Sequence, residues 1–195
     1  MNKKLLSSLV ITAAAFGSIR SAGAQEVLSG DTRLACEAVL CLASGTRPGE
    51  CAPSLNRYFS ITARKFADTL KKRRNFLSLC PVSNQTPEMS SLISAQVNGA
   101  GRCDAQALNS TLIMSRGWDT GETYISNRMP EYCAAYIGHA YTDFNSSGTM
   151  PRYVGSPEEG GYWVEERDYD RALAEYNARL EELRRRNSEN GWLQR

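Results

Sequence analysis

The chain has 195 residues, 42% of them hydrophobic, with 23 Lys and Arg against 21 Asp and Glu, one histidine and six cysteines. A balance this even argues against a general nucleic-acid binder, which would be far more basic, and the lone histidine argues against a zinc site. The length suits one domain with a sizeable core.

Lys3 and Lys4 precede an apolar run from Leu5 through Phe16, and small residues end at Ala22-Gly23-Ala24. This is the pattern of a secretory signal peptide over residues 1–24, cleaved before Gln25; the run is shorter than the ~20 residues that span a bilayer. Removal of 24 of the 195 residues leaves 171, residues 25–195, expected to form a single helical, disulfide-bonded domain. That part has 20 basic and 21 acidic residues, unevenly placed: 11 and 7 from Gln25 to Arg116, 9 and 14 from Gly117 onward.

Cys36, Cys41, Cys51, Cys80, Cys103 and Cys133 all lie in the exported part. An even count there suggests three disulfides, with several connectivities open, and places the chain in an oxidising compartment. Four of the six fall between Asp31 and Pro81, the stretch around which the rest is organised.

Ser29-Gly30-Asp31-Thr32 offers helix caps, and Leu34, Ala38, Val39 and Leu42 form one apolar face up to Gly45. Cys36 and Cys41 stand roughly 140° apart on this helix, so they do not easily bond each other or share a metal. After the turn-rich loop 44–50, Cys51 reaches back toward Cys41. From Pro53, Leu55, Phe59, Thr62, Phe66 and Leu70 keep a helical stripe that resumes at Phe76, Leu77 and Leu79 and ends at Cys80-Pro81. One straight helix would carry Cys80 ~40 Å from Pro53, beyond any cysteine of the first helix. A bend is therefore expected near Arg73 to Asn75, and the pairing Cys36–Cys80, Cys41–Cys51 and Cys103–Cys133 is the expected one.

Thr86-Pro87-Glu88 starts a helix that Gly99-Ala100-Gly101 stops, with Met89, Leu92, Ile93 and Val97 facing the core. Cys103-Asp104 opens a short helical run through Leu108, extending toward Met114. A turn follows at Gly117-Trp118-Asp119-Thr120-Gly121, then a helix from Pro130 to Ile137. Residues 143–161 turn to Asn, Ser, Gly and Pro, a long ordered loop or hinge, with short extended pieces at Arg152-Tyr153-Val154 and Tyr162-Trp163-Val164. Residues 168–190 form a long amphipathic helix of ~34 Å. Tyr169, Leu173, Tyr176, Leu180 and Leu183 make a heptad seam on it, able to pair with a second copy or to lie back on its own domain. Glu175/Arg179, Glu181/Arg185 and Glu182/Arg186 are its expected ion pairs. The fold class expected is all-α, a disulfide-stapled helical bundle.

No nucleophile motif is present, and no catalytic residue, metal site, cofactor or small-molecule substrate is expected. His139 reads as a surface or packing residue. Glu131 or the Glu158-Glu159 pair would be the carboxylates of a glycosidase, though nothing in the sequence places them in a cleft. The Lys71-Lys72-Arg73-Arg74 run reads as a solvated bend, with an anionic surface as the competing account. Tyr153, Tyr162 and Trp163 are the candidate partner-binding residues, with packing onto the helical core as the alternative. Asn84, Asn109 and Asn145 begin Asn-x-Ser/Thr triplets, accidental in a chain with a bacterial-type signal.

Three groups of residues resemble the TrbM/KikA family of conjugal transfer proteins. They are Asp31-Thr32-Arg33-Leu34-Ala35-Cys36-Glu37-Ala38 with Cys41; Gly49-Glu50-Cys51, Pro53-Ser54-Leu55 and Tyr58-Phe59; and Arg74, Phe76-Leu77 and Leu79-Cys80-Pro81. Arg102-Cys103-Asp104, Gly161-Tyr162-Trp163-Val164-Glu165 and Asp168-Tyr169 are similar too. The resemblance implies a plasmid-encoded periplasmic accessory of a type IV secretion system, without enzymatic activity. Such a protein would contact other secretion-system or envelope proteins in mating-pair formation or DNA transfer. The alternative is a peptidoglycan-cleaving enzyme that opens a path for the channel.

Overall fold

The computed structural model describes residues 28–117 and 121–192, with the side chains of the last three left out. The signal-peptide segment 1–24 and Trp118-Asp119-Thr120 of the expected turn lie outside the described residues.

Helix α1 (Gly30–Leu42) buries Ala35, Ala38, Val39 and Leu42, the face its spacing dictates. A 3-10 turn (Gly49–Cys51) leads into α2 (Ala52–Ser60), whose first turn accepts Pro53 because the N–H missing there has no helical partner anyway. Helix α3 (Phe66–Leu77) follows. The chain bends at residues 61–65, between α2 and α3, and not at Arg73 to Asn75, which lie inside α3. Side chains set the break: Thr69 Oγ1 accepts from the Ala63 N–H at 2.8 Å, while the Arg73 guanidinium donates to the Phe59 and Ile61 carbonyls at 3.3 Å each. These are groups that a continuous helix would have paired internally.

Cys36 pairs with Cys80, Cys41 with Cys51 and Cys103 with Cys133, with Cα atoms 4.8, 5.7 and 5.3 Å apart. The first bond ties the end of α3 to α1, and the second closes the loop between α1 and α2. The third joins Cys103, just ahead of a helix that begins at Ala105, to Cys133 in the helix that begins at Glu131.

Helix α4 (Pro87–Gly99) begins as its cap predicts: the Thr86 hydroxyl accepts from the Met89 N–H at 3.2 Å. Leu92, Ile93 and Val97 are buried, and Gln96, fully buried, donates its amide to the Val39 carbonyl of α1 at 2.7 Å. Helix α5 (Ala105–Thr111), capped by Asp104, is shorter than the run toward Met114 that its sequence suggested. Helix α6 (Glu131–Ile137) packs on α4, where the Tyr136 ring lies against Gly99.

The molecule is predominantly helical and not strictly all-α, because two antiparallel two-stranded sheets complete it. Strand β1 (Ile113–Ser115) pairs with β2 (Thr123–Ile125), and β3 (Pro151–Val154) with β4 (Tyr162–Glu165) in the register Tyr153↔Trp163. The first sheet replaces the expected end of α5: the Ser126 N–H reaches the Leu112 carbonyl at 2.9 Å and draws the chain into a ladder. The second lies where extended pieces were expected, so residues 143–161 contain a strand and a 3-10 turn (Pro157–Glu159) instead of forming one loop. Helix α7 (Tyr169–Trp192) folds back on β3, burying Ala172 and Tyr176 against Val154 in a small second core. Gly155 is required there: its φ is +76° and any side chain would overlap the Tyr176 ring.

Candidate partner-binding surface

The stapled unit of α1, α2 and α3 carries an open groove of about 470 Å³, lined by Ile61, Lys72, Asn75, Phe76 and Leu79 and closed at one end by Asp31 and Arg57. Arg57 makes a two-pronged pair with Asp31, at 3.1 and 2.7 Å, and lies over the Phe76 ring. This hydrogen bonding holds the Asp31 carboxyl below its ordinary range. Arg73 stacks on Tyr58 and Phe59, and burial pushes the Tyr58 phenol up to about 12.

The basic run divides in two. Arg73 closes the end of α2 and Arg74 donates to Ser94 of α4 at 2.9 Å, so both are structural. Lys71 and Lys72 are exposed, as are Arg64 and Lys65 before them, and none of the four makes an ion pair among the described residues. Beside them the fold leaves apolar side chains outside: Leu79 and Val82, each 46% exposed, flank Cys80, and Leu40, 74% exposed, lies one turn beyond Cys36. Leu40 and Val82 were missed in the sequence, although Leu40 falls off the buried stripe of α1 and could have been flagged on that ground; Leu79 was read as part of the helical stripe, but α3 ends at Leu77 and leaves it outside.

The three predicted partner-binding aromatics do not form an exposed patch. Trp163 is 5% exposed, donates its indole N–H to the Ser126 carbonyl at 3.0 Å, and meets Tyr153 edge-on. The Tyr153 hydroxyl donates to the Ile125 carbonyl at 2.7 Å, so this pair bolts one sheet to the other. Tyr162 is half-buried in the core beneath α7. Asn109, in one of the Asn-x-Ser/Thr triplets, accepts from the Trp163 N–H and donates to its carbonyl, both at 2.7 Å. Its amide thus takes the place of a neighbouring strand along the edge of β4.

The heptad seam is used within the chain: Tyr176 is buried and Tyr169, Leu173 and Leu180 pack on the second core, while Leu183 is exposed. Of the expected ion pairs on α7, Glu182–Arg186 forms. Arg185 turns instead to Glu182 and Glu189, and Arg179 to the Gly160 carbonyl.

A smaller cleft of about 150 Å³ lies between α4, α6 and β4, lined among others by Arg47, Asp104, Tyr136, Glu165 and Arg167. Its charges are largely committed: Arg167 pairs with Glu165 and Asp104 caps α5, while the buried Tyr136 hydroxyl donates to the Leu42 carbonyl. His139 is half-buried in a turn, its Nδ1 accepting from the Tyr141 N–H. Glu131 is exposed at the start of α6. Glu158 and Glu159 sit in the 3-10 turn beside α7, where Arg184 and Tyr176 engage Glu159. None of these four lines the cleft. Among the described residues no three His, Cys, Asp or Glu are grouped to hold a metal, and no helix is long and apolar enough to cross a membrane. Three disulfides point to folding in an oxidising, exported environment.

Neither the curated proteins nor the solved structures contain a match to this chain. The TrbM family model matches residues 27–177. That span takes in all six cysteines, both sheets and the part of α7 that packs on β3, and on it the chain belongs to the TrbM family, which implies a role related to conjugal transfer.

Proposed function

We propose that the protein is a periplasmic accessory of a plasmid conjugation type IV secretion system. It works through contacts with other secretion-system or envelope proteins in mating-pair formation or DNA transfer, and not by catalysis. The observation that carries this reading is the set of apolar side chains left exposed around the Cys36–Cys80 bond: Leu40 on one side, Leu79 and Val82 on the other. Leu40 stands on α1 and the other two in the turns on either side of the cross-linked Cys80, so little is lost in ordering them when a partner arrives. The second-copy reading of the α7 seam loses support, since that seam is spent on β3 and β4 of the same chain.

The test is an in-frame deletion in a conjugative plasmid, complemented in trans. Transfer frequency falls on deletion and is restored by the full chain, but not by a chain lacking residues 1–24. Normal transfer without the protein refutes the role. Purified protein is expected to leave peptidoglycan intact in a zymogram; clearing that a Glu→Gln change abolishes would favour the cell-wall enzyme instead.

A further inference from the structure

We infer that the groove between α2 and α3 is the docking site for an acidic, amphipathic segment of a partner protein, an inference that rests on the proposed function and names its surface. The argument begins with charge. Residues 64–74 hold six cations and one carboxylate, Asp68, in a chain whose part from Gln25 onward is balanced as a whole. Arg73 and Arg74 are consumed by the fold, but Arg64, Lys65, Lys71 and Lys72 remain exposed without an ion pair among the described residues. Elsewhere the same chain does pair its surface charges: Arg33, Arg57, Arg152, Arg167, Arg171 and Arg185 each meet a carboxylate. The cations of α3 and of the turn before it are thus a cluster without a carboxylate partner among the described residues, where those six arginines each have one.

The groove's shape selects the partner's class. Lys72 stands on its rim, while Ile61, Phe76 and the half-exposed Leu79 supply an apolar lining. Arg57 is the weaker candidate for an incoming anion, because Asp31 already balances its charge by accepting from Nε and Nη2. An occupant must then offer an apolar side chain to Leu79 and carboxylates to Lys72 on the rim and to Lys71, its exposed neighbour on α3. An amphipathic helix with Leu and Glu on one face meets that demand. Nucleic acid would leave the apolar lining unused. A membrane surface is flat and would engage the cations but not the groove.

The binding test uses the full exported chain and fluorescent 18-residue helical peptides carrying a Leu stripe flanked by Glu, the same stripe flanked by Lys, and the Glu version with Leu replaced by Ser. Vesicles of phosphatidylglycerol and a 30-nucleotide single strand of DNA are run beside them. The Glu–Leu peptide binds at least tenfold more tightly than either control peptide, and weakens at least tenfold between 50 and 300 mM salt. K71E/K72E and L79D each weaken it at least tenfold, with circular dichroism and intact non-reduced mass unchanged; K71Q/K72Q gives an intermediate loss. Indifference to these changes overturns the inference, as does vesicle or DNA binding that needs Lys71 and Lys72 while the peptide does not bind. Mating assays separate the two levels: if deletion abolishes transfer but K71E/K72E and L79D transfer normally, the docking site is wrong and the conjugation role stands.

Discussion

The Cys36–Cys80 bond closes a loop of 44 residues and the Cys41–Cys51 bond a loop of 10 nested inside it. On the chain-entropy relation, the inner bond alone restricts the unfolded chain by about 2.7 kcal/mol at 25 °C. With the inner loop already closed, the outer one has a shorter effective length of about 34 residues and contributes about 3.8 kcal/mol. Replacing Cys36 and Cys80 together with Ala is thus expected to cost about 1 kcal/mol more than replacing Cys41 and Cys51. Packing does not separate the two, because each bond joins a buried cysteine, Cys80 or Cys51, to a half-buried one, Cys36 or Cys41. In urea, with a slope of about 2 kcal/mol per molar, the midpoints fall by about 1.9 M and 1.3 M. Unfolding would be followed by circular dichroism on protein whose remaining bonds are verified by non-reduced mass. An inner-bond variant less stable than the outer-bond variant, or either variant within 0.5 kcal/mol of the parent, would refute the reasoning.

Asn109→Ala removes both hydrogen bonds to the Trp163 backbone and is expected to cost about 2 kcal/mol in urea unfolding, with a red shift of tryptophan emission. Tyr153→Phe loses one bond between the sheets and costs about 1 kcal/mol by the same measurement; no loss would mean that the hydroxyl is not engaged. Asp31 has a lowered folded pKa, so its contribution is full above the unfolded carboxylate value and is lost as pH falls through the folded one. Carbon-detected NMR should place its midpoint below 3.8, and Asp31→Asn should flatten the acid limb of stability. Ending the chain after Arg184, which keeps the contact to Glu159, removes the exposed residues 185–189 and those after them and should change stability by less than about 0.5 kcal/mol, the protein sedimenting as a monomer before and after.

Most of the helical frame was legible because its signals are local. Thr86-Pro87 marks the start of α4, and the buried face of α1 follows a 3.6-residue period that no tertiary contact has to enforce. The break between α2 and α3 was not, since the stripe through Leu55, Phe59, Thr62 and Phe66 stays in helical phase across it and residues 61–65 contain neither Gly nor Pro. What interrupts the helix comes from later in the chain: Thr69 and Arg73 offer backbone groups a better partner than the next turn would. The same limit applies to the candidate site. A run of four cations reads alike whether its members are solvated or spent, and only the fold separates Lys71 and Lys72 from Arg73 and Arg74. The heptad seam likewise looks the same for a coiled coil as for a helix lying on its own sheet.

The division of that basic run also explains why the staples matter for more than stability. Helices α2 and α3 have 9 and 12 residues, too short to hold their shape alone in water. Their relative placement is fixed from both sides: Arg73 ties the end of α2 to the middle of α3, and Cys80 anchors the far end of α3 on α1. Leu79 sits next to that anchor and Lys72 next to Arg73, so the groove keeps its width only while both ties hold. A side chain spent on the backbone therefore positions the neighbours that remain free. The cross-link expected to contribute most to folding is the same one that keeps the docking side chains in register.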